Sequence, residues 1–182
     1  MSYHEDIYER VNKIVKKYHT RCPKTIIDNM NIMITTTATT KLLGMYTIFK
    51  RKRVIFISDS LDYLTNVVLA HELGHDQLHR QECTKGKAFH EETIPTSTGK
   101  FELEANIFAA HLLIDDDKLK TLLLENRPLK EIAYEFMVTE ELVSLKIREL
   151  IILNLLDLEL WKLNNSSSDF LKNYCPDALT KY

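Results

Sequence analysis

Residues 64–80 read Leu-Thr-Asn-Val-Val-Leu-Ala-His-Glu-Leu-Gly-His-Asp-Gln-Leu-His-Arg, and their spacing decides what must surround them. The apolar Leu64, Val67 and Val68 lead into His71-Glu72-Leu73-Gly74-His75. On a helix, residues four apart lie about 40° out of alignment, so both imidazoles reach one metal ion from a single face. Glu72 falls beside that face, where it can take a proton from an attacking water. This is the HExxH arrangement of zinc hydrolases. In a chain of 182 residues with 7 histidines, an accidental match has a probability of roughly 2%. The blander reading is a helix with two surface histidines, and the strand-to-helix context weighs against it.

Two imidazoles leave a catalytic zinc one protein ligand short. The third is expected from another helix, and Phe101-Glu102-Leu103-Glu104-Ala105-Asn106 offers Glu102 and Glu104. Glu102 is preferred, because its face runs through the small Ala105, Asn106 and Ala109, which allow close approach to the metal-bearing helix. Glu104 shares its face with Ile107, Phe108 and His111. Asn106, one turn after Glu102, can accept a hydrogen bond from a ligand imidazole and fix its tautomer. His79, two turns past His71, is a candidate oxyanion donor, with Tyr46, Tyr63 and His90 as alternatives. The plain alternative for His79 is a hydrogen-bonded histidine at a helix end. A second metal on His79, Cys83 and His90 is disfavoured, and His4, His19 and His111 read as ordinary surface or core residues.

Working outward, Ile7, Val11, Ile14, Val15 and Tyr18 recur at helical spacing, so residues 3–19 form an amphipathic helix closed by the Cys22-Pro23 break. Ile32–Ile34, Leu43–Phe49 and Val54–Ile57 are β-prone, the last two flanking a turn at Lys50-Arg51-Lys52-Arg53. Ser58-Asp59-Ser60 supplies N-cap oxygens for a helix running to about Arg80. Residues 81–99 read as a long loop. Further helices follow near 100–113, from Asp115–Asp117, from Pro128, and from a Thr139 cap to about Leu150. Asn164–Asp169 reads as a flexible connection to a weakly structured tail.

The composition is globular, with 45% hydrophobic and 27% charged residues. The longest apolar runs, Val67–Ala70 and Leu150–Leu153, fall far short of the roughly 18 residues of a membrane span. Charges from Glu5 to Arg21 occupy the place of a signal core. Three cysteines (Cys22, Cys83, Cys175) with no Cys-x-x-Cys fit reduced thiols. The expectation is a soluble protein of the cytoplasm.

Taken together, His71-Glu72-Leu73-Gly74-His75-x-x-x-His79 and Glu102-x-x-Ala105-Asn106-x-Phe108-Ala109-Ala110-x-Leu112-Leu113 resemble the ImmA/IrrE family of metallopeptidases. The likeness runs from about Ile26 to Leu150 and includes Gly44-Met45-Tyr46. It implies a gluzincin-like zinc peptidase whose Glu-x-x-x-Asn helix supplies the third ligand, which favours Glu102. It also implies a role on phages and mobile elements or in stress responses, cleaving a Cro/CI-type repressor. One departure is Ile114-Asp115, where the family often has Met-Pro, expected to alter the helix end rather than the chemistry.

The expected fold is α+β, a zincin-like core of helices on a small, mostly antiparallel sheet (residues 1–126). A helix-turn-helix-like module (127–163) and a tail (164–182) follow. The cofactor is Zn2+ and the partner a repressor with a helix-turn-helix domain. Direct DNA binding is disfavoured. Residues 101–160 hold 6 Lys+Arg against 13 Asp+Glu, and the turn around Met137 leads into Glu140 and Glu141, which phosphate repels. Lys50–Arg53 reads as a solvated turn. The rival readings are a toxin–antitoxin or immunity-type protein acting by binding, and a DNA-binding regulator using residues 128–150.

Overall fold

The computed structural model describes residues 2–38, 43–84, 89–91 and 99–157. Its first helix, α1 (Tyr3–Tyr18), begins with a reciprocal cap: Glu5 N–H donates to Ser2 Oγ, and Ser2 N–H donates to Glu5 Oε2 at 2.7 Å. Ile7, Val11 and Ile14 form its buried stripe, each contributing roughly 2 kcal/mol through burial. The chain then turns through His19 in the left-handed region. Where the sequence marks only a break, Pro23 opens a second helix, α2 (Pro23–Asn29). Proline suits a first turn, which has no use for its missing N–H.

Four strands form one sheet in the order β1-β3-β2-β4: β1 (Met33–Thr37), β2 (Gly44–Phe49), β3 (Lys52–Ser58) and β4 (Phe89–Glu91). β2 pairs antiparallel with β3 and β4, while β1 runs parallel to β3 with Met33 opposite Val54. The sheet is therefore mixed but mostly antiparallel. The β2–β3 turn is tighter than expected. Lys50 and Arg51 alone make it, at φ 47° and 66°, a two-residue hairpin whose twist matches its strands. Lys52 and Arg53 belong to β3, and this places Arg53 against the metal-motif helix.

That helix, α3, spans Thr65–Leu78. It is not capped by Ser58-Asp59-Ser60. Ser58 Oγ instead bonds Ser60 Oγ at 2.8 Å, and a short 3-10 turn (Asp62–Leu64) leads into α3. Every residue from Val67 to Asp76 is buried, because α3 is enclosed by α2, β2, β3 and a later helix, α5 (Lys100–Leu113). The region expected to be loop contains α4 (Arg80–Thr84) and β4; residues 85–88 and 92–98 lie outside the described residues.

Beyond α5, Ile114 is extended and fully buried, and the Asp115 carboxylate accepts from Asp117 and Lys118 N–H to start α6 (Asp116–Leu124). At Ile114-Asp115 the end of α5 thus runs into the capped start of α6. α7 (Leu129–Phe136) follows Pro128, Met137 turns at φ 54°, and Thr139 Oγ caps α8 (Glu140–Ile152). Ala133 and Val143 are buried, as a helix-turn-helix pair requires, and α8 packs on α5. At this junction Lys146, fully buried, donates to His111 Nδ1 at 2.9 Å and pairs with Asp116 at 2.5 Å. His4 meets the buried Glu149, so both histidines make polar contacts with α8. Residues 158–182, including the expected connection and tail, lie outside the described residues. No described helix is long and apolar enough to cross a membrane.

Candidate metal centre

α3 and α5 approach closely because their contact residues are small. A Cβ on Gly74 would meet Ala105 Cα and O at 3.1 Å. Across this contact the two helices bring His71, His75 and Glu102 together. His71 Nε2 and His75 Nε2 are 3.0 Å apart, and Glu102 Oε2 lies 3.2 and 3.4 Å from them.

The outer hydrogen bonds set the tautomers. His71 Nδ1–H donates to Asn106 Oδ1 at 2.7 Å. His79 Nε2–H donates to Glu104 Oε2 at 2.8 Å, which leaves His79 Nδ1 to accept from His75 Nδ1–H at 3.1 Å. Both inner nitrogens then present lone pairs, as does the carboxylate. Three acceptors converging at this spacing repel one another unless a cation lies among them. A tetrahedral ion with bonds of about 2.0–2.1 Å separates its ligands by about 3.3 Å, so the triangle fits. The residues could hold a metal ion.

Electrostatics agree. Burial pushes His75 down to about 4, keeping its imidazole neutral and available as a ligand. Burial also lowers His79.

Glu72, the neighbour of His71 on α3, is fully buried. Its carboxylate abuts the first residue of β2, where a Cβ on Gly44 would stand 2.4 Å from Glu72 Oε1 and 2.6 Å from Val68 Cγ1. Asp76, also fully buried, anchors α3 to the sheet: it accepts from Tyr46 Oη (2.7 Å), Arg53 Nη1 (3.0 Å), Arg80 Nη2 (2.8 Å) and Gln77 Nε2 (2.6 Å). Arg53 also donates to the Met30 carbonyl.

Of the residues marked in sequence, His71, Glu72, His75, Glu102 and Asn106 meet here, and Glu104 lies one layer out on His79. His79 stands behind His75 rather than facing the ligand triangle. Tyr46 is spent on Asp76, and Tyr63 is exposed. Sequence reasoning missed two contributors. Asp76 carries no pattern of its own, and Gly44 entered only as part of a resemblance.

This mixed α+β fold, with two helices presenting a His-His-Glu triangle, defines a metallopeptidase-like class. The chain belongs to the Peptidase_M78 family, described as the IrrE N-terminal-like domain, which matches residues 27–148. It is also 34% identical over 138 residues, 75% of this chain and 85% of the relative, to an "Uncharacterized immunity region protein 2" of Bacillus phage phi105.

Proposed function

We propose that the chain is a zinc-dependent endopeptidase that cleaves a Cro/CI-type helix-turn-helix repressor and so derepresses phage, mobile-element or stress-response genes. The observation carrying this reading is the convergence of His71, His75 and Glu102 within 3.4 Å, with Glu72 buried alongside. The kinship with a phage immunity-region protein supports a regulatory setting.

When bound, zinc acidifies a water and polarises the scissile carbonyl. His71, His75 and Glu102 would hold it. Glu72 accepts the proton of the attacking water and returns it to the leaving amine. Asn106 keeps His71 with its inner nitrogen unprotonated, and His79, held by Glu104, does the same for His75. The missing side chain at Gly44 leaves the Glu72 carboxylate the room it occupies.

A role through binding alone makes no demand for Glu72. The Glu72→Gln chain separates the two: zinc content stays near that of the wild type, while fragments of the repressor encoded beside the gene, read by mass spectrometry, form about 10³-fold more slowly. A variant that still relieves repression at full strength refutes hydrolysis.

A further inference from the structure

The α7–α8 pair borders an open groove of about 900 Å³, closed on its other side by Tyr63. Tyr134 is 85% exposed, Tyr63 61% and Met137 59%. Three large apolar side chains around one groove form the kind of patch that marks an interaction site. Met137 is held there in the left-handed region at φ 54°, a conformation that favours glycine over any residue with a Cβ.

Charge identifies what fits. Glu140 and Glu141 line the groove from the first turn of α8 and make no ion pair among the described residues. Glu135 lines it too but is paired with Lys118 at 2.7 Å, and Lys130 is the one cation among the lining residues. In a DNA-reading helix-turn-helix, the start of the second helix passes between phosphates to reach base edges. Carboxylates at that point repel a duplex. They complement the opposite object, a positively charged helix that also carries apolar side chains.

We propose that this groove docks a cationic, apolar-faced helical segment of a partner protein, the chemistry a DNA-binding protein turns toward phosphate. Where the partner is the substrate, the groove acts as a docking site apart from the metal centre, with which it shares no residue. That extension rests on the peptidase reading; the groove itself does not.

The test uses the full chain, as wild type and as Glu72→Gln, with a helical Lys/Leu peptide of roughly 18 residues and its Glu/Leu counterpart. Fluorescence anisotropy should show binding of the cationic peptide only. Glu140→Lys with Glu141→Lys should weaken it at least about tenfold, and Tyr134→Ala should weaken it as well. Asp59→Lys with Glu125→Lys, an equal change in net charge at exposed positions elsewhere, should cost less than about threefold. Equal losses in both double variants mean attraction by net charge and overturn the proposal. A benzophenone side chain at position 134 should cross-link to the cationic peptide. Cross-links to residues 158–182, to a second copy of the chain or to duplex DNA overturn it. A chain that binds the peptide but cleaves no repressor refutes the peptidase reading alone. One that cleaves the repressor with a KM unmoved by the groove variants refutes the groove alone.

Discussion

Gly44 and Glu72 are packed so closely that a methyl group on the first would stand 2.4 Å from a carboxylate oxygen of the second. A side chain at residue 44 must therefore displace Glu72, Val68 or the start of β2. The absence of a side chain on Gly44 is what leaves room for the Glu72 carboxylate.

Gly44→Ala should cut peptidase activity by at least about tenfold and destabilise the fold by about 1–3 kcal/mol, the usual cost of overpacking. Gly74→Ala should also destabilise, because the atoms it would meet are the backbone of Ala105. Gly99→Ala meets only Glu102 Cγ at 3.8 Å and should stay within about 0.5 kcal/mol of wild type. Thermal melts with a cleavage assay rank the three.

Glu104→Gln should weaken metal binding about 10–100-fold in a chelator competition. The amide can still accept from His79 Nε2–H but carries no charge to make His79 a stronger acceptor for His75. His79→Ala should lose at least as much. An affinity unchanged in both variants would leave His79 as a packing residue only.

Tyr46→Phe should leave the cleavage rate within about threefold of wild type while lowering stability by about 1 kcal/mol. Its hydroxyl is committed to Asp76, which keeps Arg53, Arg80 and Gln77. A large fall in kcat with unchanged stability would make Tyr46 an oxyanion donor.

Asp116→Asn should destabilise the chain by about 3 kcal/mol at pH 7, because it strands the buried Lys146 charge. Replacing Lys146 with Met as well should recover most of the loss. Burial works to raise the Asp116 carboxyl, yet Lys146 and the Tyr8 hydroxyl hold it below its ordinary value. Its stabilisation is accordingly full above that ordinary value, near 3.8, and is lost as pH falls through the lowered one. Melting temperatures between pH 7 and pH 3 should fall less steeply in the double variant.

The local code was legible where one helix carried it. The four-residue spacing of His71 and His75 and the stripe of α1 both follow from 3.6 residues per turn, and they emerge in the structure as read. Glu102 was separable from Glu104 because small residues on its face allow one helix to approach another. The reading failed where tertiary contacts chose among local options. Ser58 and Ser60 have the chemistry of helix caps, yet they bond each other and α3 begins later. The parallel β1–β3 pairing and α2 leave no periodic mark, being too short to show one.

By itself, then, the sequence determined which side chains a helix must present together, since that depends only on spacing along one rigid element. The tertiary structure decided the meetings of elements that carry no such local mark: Glu104 reaching His79, Asp76 gathering Tyr46, Arg53 and Arg80, and Gly44 making room for Glu72. Such contacts are set by how close two backbones can come. That distance is fixed by the packing of the whole core, and no stretch of sequence records it.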